Sequence, residues 1–195
     1  MFHCMRVIKK MLTNFLKDKS CLFFGALNCV HTERCLEELK NYEMDITIVY
    51  SKKRGENLPL KATSWKGDFI FSYRNYWLLP EYLINNAKFL SLNFHPATPR
   101  FPGSGPYCWA LYEDAKFFGI TIHLMNKKFD NGKIIDVFKF PIDTSFTIET
   151  LIEKTKEFSV EVFKKFLKTL SKKSYNEIKK ISDKSSNYRW TRDAR

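Results

Sequence analysis

Lys88-Phe89-Leu90-Ser91-Leu92-Asn93-Phe94-His95-Pro96 is the stretch on which the fold turns. Its first half is almost continuously apolar and short, the signature of a strand buried on both faces rather than of a half-exposed one. It then breaks off into an amide and an imidazole two positions apart. Pro96, Pro99, Pro102, Gly103 and Gly105 follow directly, so the exit loop is stiff and compact.

Three more runs of the same kind precede it: Cys21–Gly25, Asp45–Tyr50 and Asp68–Tyr73. Helical apolar spacing over residues 32–41, and a short helix over 80–87, separate them. After the Pro/Gly loop come a helix over Gly105–Asp114 and two strands, Gly119–Met125 and Gly132–Pro141. Thr147 then caps a long helix striped by Leu151, Thr155, Phe158, Val162, Phe166 and Leu170. This order predicts an α/β fold, a doubly wound Rossmann-like, mostly parallel sheet flanked by helices and closed by a long C-terminal helix. Residues 1–170 are expected to form one compact domain, with a basic amphipathic, helical lead-in over the first twenty, and residues 171–195 a basic tail.

The net charge of +12 over 195 residues fits either a solvated basic surface or an anionic ligand. Five cysteines form no CxxC pair and are odd in number, which argues against a zinc site and a disulfide framework and suits the cytoplasm. No apolar run approaches the roughly 18 residues that cross a bilayer, so no membrane partner is expected.

Ligands of doubly wound sheets gather at the carboxyl ends of the strands. That rule selects the exits Tyr73–Pro80, Asn93–Gly105 and Met125–Gly132. Phosphate-loop, dinucleotide, nucleophile-elbow and zincin motifs are absent. On an extended segment Asn93 and His95 point to one side. Asp130 precedes the turn dipeptide Asn131-Gly132, from which a carboxylate can orient an imidazole. Such a set suits a reaction through a tetrahedral oxyanion. Spacing alone is met equally by a packed histidine before proline and by a turn aspartate.

The motifs Asn93-Phe94-His95-Pro96…Pro102-Gly103…Gly105, Gly119-Ile-Thr-Ile-His-Leu-Met125 and Asp130-Asn-Gly-Lys-Ile-Ile135 stand in an order that resembles the folate-dependent formyltransferases. That family includes glycinamide ribonucleotide, methionyl-tRNA and amino-sugar N-formyltransferases. The resemblance spans about residues 68 to 155, and Phe71–Pro80 with Phe101–Gly105 is most similar to the sugar-modifying branch. It implies Asn93, His95 and Asp130 as catalytic residues and 10-formyltetrahydrofolate as co-substrate, with no metal. Trp77, Leu78 and Leu79 match the loop that embraces the pterin, closed opposite by Phe129 and Asn131. Arg100, with Gly103 and Gly105, is expected at the acceptor; Arg74 and Lys127 are further candidates for its phosphates. His123 is expected to be structural and to point away from Asn93 and His95, and His31 to lie near the exit of the first strand.

Departures from the family narrow the acceptor. The N-terminal part is short, Gly25-Ala26-Leu27-Asn28 is a poor phosphate loop, and the chain ends before the OB-like domain of the tRNA enzymes. The implied acceptor is a nucleoside-diphosphate amino-dideoxyhexose of O-antigen or lipopolysaccharide biosynthesis. Nucleic acid is not expected as a partner. Another amine (methionyl-tRNA or glycinamide ribonucleotide), hydrolysis of the formyl-folate, and a homodimer through the long helix and tail remain open.

Overall fold

A computed structural model describes residues 14–183 and 187–191. Residues 1–13 of the expected lead-in lie outside the described residues, and Phe15–Asp18 form a turn. Among these described residues six strands form: β1 (Ser20–Ala26), β2 (Asp45–Ser51), β3 (Gly67–Tyr73), β4 (Ala87–His95), β5 (Phe117–Leu124) and β6 (Ile134–Pro141). They form one sheet in the order β2-β1-β3-β4-β5-β6. The strands from β1 to β4 are parallel, whereas β5 runs antiparallel to β4 and β6 to β5. Only residues 125–133 join β5 to β6, too few for the crossover that a parallel pair needs.

Alternation along each strand divides the sheet's residues between two faces. One face carries Phe23, Phe69, Phe71, Leu92, Phe94 and Ile122, covered by α1 (Val30–Lys40) and α5 (Ile148–Leu170). Phe163 of α5 is fully buried there, with its ring 4.8 Å from Phe94 and edge-on to Phe23 and Phe71. Each such aromatic contributes about 1.5–3 kcal/mol by burial. Thr147 caps α5, accepting from the Thr150 amide while its own amide donates to Thr150 Oγ1. The other face holds Leu22, Phe24 and Ile70 under the short helices α2 (Leu60–Thr63) and α3 (Glu81–Ile84). Helix α4 (Pro106–Tyr112) follows the proline-rich loop.

The segment expected as a tail carries α6 (Tyr175–Asp183), whose Ile178 is fully buried in the core. No helix among the described residues is long and apolar enough to cross a membrane.

The loop between β5 and β6 is held by a close approach. A Cβ built on Gly132 would stand 1.7 Å from the Leu124 carbonyl oxygen. Gly132→Ala is expected to destabilise by about 3 kcal/mol, the upper end of overpacking costs, because backbone cannot yield as a side chain does. Urea unfolding checks this, and a shift under about 0.5 kcal/mol would show that the hairpin accommodates the methyl group.

Candidate active site

Three adjacent strands place one polar residue each in a single lateral row. Ser72 of β3 is paired in register with Asn93 of β4, and Asn93 with His123 of β5. Paired residues share a face, so all three project to the side opposite Phe94. Ser72 Oγ donates to Asn93 Oδ1 at 2.8 Å, which fixes the amide with its nitrogen towards β5. There Asn93 Nδ2 lies 3.1 Å from His123 Nε2 and donates to Asp130 Oδ1 at 3.3 Å. His123 Nδ1 donates to the Leu124 carbonyl at 2.8 Å. Its Nε2 is left to accept the Asn93 amide hydrogen, or with a second proton to donate to Asp130 Oδ1, 3.4 Å away.

His95, two residues beyond Asn93, completes the cluster. Its Nδ1 is 3.1 Å from Asp130 Oδ2, and its Nε2 donates to the Phe101 carbonyl at 2.9 Å. The proline-rich loop thus supplies the acceptor that sets the ring's orientation. It also supplies the Gly103 amide, which donates to Asp130 Oδ2 at 2.9 Å. Gly103 holds φ +81°, and Asp130 itself φ +39°, a region that strains residues other than glycine. Burial alone would push the Asp130 carboxyl up. The charge of His95, with hydrogen bonds from His123 and His95, outweighs it and holds Asp130 well below the usual carboxylate range.

Residues 187–191 close the back of the cluster. The Trp190 ring stands edge-on to His123 at 5.2 Å and to His95 at 5.8 Å. Its Nε1 donates to the Gly132 carbonyl at 2.7 Å, and the Thr191 amide donates to Pro99.

In front of the cluster opens a cleft of about 740 Å³. All three expected strand exits line it. Asn93, His95, Asp130, Trp77, Leu78, Leu79, Phe129, Gly103 and Gly105 all border this one space. Its apolar end is built from Trp77, Leu79, Ile84 and Met125, with Leu78 and Phe129 half exposed at the mouth. Asn75 Oδ1 accepts from the Trp77 amide at 2.6 Å, and the indole Nε1 donates to the Glu56 carbonyl at 2.7 Å, so the Trp77 ring is fixed.

Three expected residues, Arg100, Asn131 and Lys127, do not border the cleft. Arg100 is held away by Glu113, with Nε and Nη2 at 3.1 and 2.9 Å from Oε2, and its guanidinium covers the Phe101 ring. Asn131 also falls outside the lining, as does Lys127, whereas its neighbour Lys128 is within it. His31 packs away from the cleft, 2.8 Å from Glu157 of α5. The expectation for His123 is overturned: it is paired in register with Asn93, so its imidazole enters the cluster instead of pointing away. Ser72, Tyr107, Arg54 and Trp190 were not singled out by the sequence. A register argument from the Gly119–Met125 strand could have found His123, while Trp190 had no signal beyond being a lone tryptophan in basic surroundings.

A family profile described as "Formyl transferase" matches residues 50–167. The bifunctional polymyxin resistance protein ArnA of Wigglesworthia glossinidia brevipalpis is 33% identical over 122 residues, which is 62% of this chain and 19% of that protein. A methionyl-tRNA formyltransferase of Prochlorococcus marinus (strain AS9601) is 30% identical over 175 residues, 89% of this chain and 46% of that protein. The chain therefore spans less than half the length of either curated relative. Among solved structures, the formyltransferase PseJ of Anoxybacillus kamchatkensis superposes with a TM-score of 0.64 at 24% identity over 78% of both chains. That likeness establishes the fold; the PseJ structure holds UDP-4,6-dideoxy-4-formamido-L-AltNAc and tetrahydrofolate.

Proposed function

This chain belongs to the formyl transferase family, and from that premise we propose that it moves a formyl group from 10-formyltetrahydrofolate to the primary amine of a nucleotide-linked amino sugar. The observation that carries the reading is the placement of Asn93 and Asp130, 3.3 Å apart, in the wall of a cleft with one apolar end. A flat pterin, apolar on its faces and polar at its edges, suits the fixed Trp77 with Leu78, Leu79 and Phe129. The folate supplies a formyl carbon bonded to a nitrogen that can leave.

An amine attacking such a carbon develops positive charge on nitrogen and negative charge on oxygen. Asn93 Nδ2 meets the oxygen: of its two contacts, the one to Asp130 is the longer, so that hydrogen is the one an incoming oxygen competes for. Asp130 meets the nitrogen. A carboxylate held so far below its usual range is a poor base but a fixed negative charge, suited to stabilising the developing ammonium. His95 and His123 hold that charge in place. As the new C–N bond forms, the proton shed by the amine passes through the carboxylate–imidazole cluster to the folate nitrogen, whose bond to carbon breaks. Ser72 positions Asn93, and Trp190 the imidazoles.

The acceptor reading draws support from the sugar nucleotide and tetrahydrofolate bound in PseJ, whose fold this chain shares. The test supplies 10-formyltetrahydrofolate with a panel of acceptors and follows tetrahydrofolate release. Release that depends on a nucleotide-linked amino sugar supports the reading. Release driven only by glycinamide ribonucleotide or methionyl-tRNA would move the assignment to that amine.

A further inference from the structure

We propose that Arg74 and Tyr107 form an anion subsite that anchors a phosphate of the amine-bearing substrate; the proposal rests on the formyl-transfer reading above. Arg74 is the first residue after β3, two positions beyond the Ser72 that holds Asn93. Its backbone is left-handed, φ +54°, a conformation that an arginine adopts at a cost in free energy. That geometry keeps the side chain in the wall of the cleft. There its Nε is shut off from solvent without a hydrogen-bond partner. None of the ion pairs among the described residues involves Arg74. Burying a guanidinium without a counter-charge is unfavourable, and proteins retain the arrangement where a ligand supplies the partner.

Tyr107, on α4, lines the same cleft; its hydroxyl is buried there, and the Arg74 side chain is its hydrogen-bonding neighbour. Burial pushes its phenol up while the charge of Arg74 pulls the other way, so the two side chains are electrostatic neighbours. Glu153, an exposed acid within electrostatic reach of Arg74 and Tyr107, is already paired with Lys156. The remaining charges of the cleft point the same way. Arg54 and Lys128 add positive potential, Asp130 is countered by imidazoles, and Glu56 accepts from the Lys52 amide at 2.6 Å.

A guanidinium fork with a phenol donor beside it matches tetrahedral phosphate oxygens better than a lone ammonium does. The anion belongs to the amine substrate rather than to the carboxylate tail of the folate. Arg74 follows by two residues the Ser72 that holds Asn93, and its neighbour in the cleft lining is Tyr107, whereas the apolar end and its half-exposed mouth lie along Trp77–Leu79 and Phe129. This replaces Arg100, whose guanidinium is spent on Glu113.

Equilibrium binding of UDP, inorganic pyrophosphate and folinic acid distinguishes the sources. Arg74→Met and Tyr107→Phe are compared with Arg100→Met and the unaltered protein, each checked for folding by circular dichroism. Arg74→Met is expected to weaken UDP and pyrophosphate binding by roughly tenfold or more, as loss of a charged hydrogen-bond pair does. Folinic acid binding stays unchanged, and Arg100→Met changes neither. Unchanged UDP binding in Arg74→Met overturns the subsite, and so does a loss confined to folinic acid. Folinic acid binding without UDP or pyrophosphate binding in the unaltered protein also overturns it and leaves the formyl-transfer reading standing. UDP binding that depends on Arg74, in a protein that does not bind folinic acid, would support the subsite and sink that reading instead.

Discussion

Replacing Asp130 by asparagine is expected to lower kcat by roughly a hundredfold to a thousandfold, the range over which one preorganised group acts on charge developing in the transition state. The change is nearly isosteric, so the Gly103 amide keeps an oxygen to bond. What disappears is the one negative charge between His95 and His123. The incoming amine then meets two imidazoles with nothing to balance its own developing charge. Folinic acid binding, which depends on the apolar end of the cleft, is expected to persist and serves as the control for folding. Near-normal turnover in this variant would remove Asp130 from the mechanism. The same carboxylate has a predictable signature in stability. Because its pKa in the folded state is lowered, its contribution is complete above the unfolded value near pH 4, and is lost progressively as pH falls below that. The stability advantage of the unaltered protein over Asp130→Asn is therefore expected to shrink as pH falls below about 4.

Asn93→Ala is expected to lower kcat by about a hundredfold to a thousandfold, as removal of one oxyanion donor does elsewhere. Its amide is fixed from both ends, by Ser72 Oγ at 2.8 Å and by His123 Nε2 at 3.1 Å, so it is organised before substrate arrives. A donor that acts on the charge developing in the transition state changes kcat and kcat/KM together and leaves KM nearly constant. Steady-state kinetics read the split. A rise in KM with kcat preserved would assign Asn93 to ground-state binding instead.

Much of this site was legible because it follows from alternation and strand ends. Asn93 and His95 are two apart on an extended segment, and Asp130 precedes a turn, so their convergence needed only the rule that ligands sit at strand exits. The apolar runs Cys21–Gly25 and Asp68–Tyr73 likewise announced buried parallel strands. Apolar runs do not encode register, however, and it is the pairing of His123 with Asn93 that carried His123 into the cluster. Long-range contacts were hidden for the same reason. Trp190 reaches the imidazoles from a segment whose composition is basic and polar. Arg100 and Arg74 look alike in sequence, yet Glu113 captures one while a left-handed backbone turns the other into the cleft.

The most direct test of the central claim follows a carbon-13 label from the formyl group of 10-formyltetrahydrofolate in the presence of a nucleotide-linked amino sugar. The label is expected to appear in an N-formyl amide on the sugar, in step with tetrahydrofolate release, and the transfer to be strongly reduced by Asp130→Asn. Label recovered as formate, or left on the folate by folded protein that binds both ligands, would contradict it.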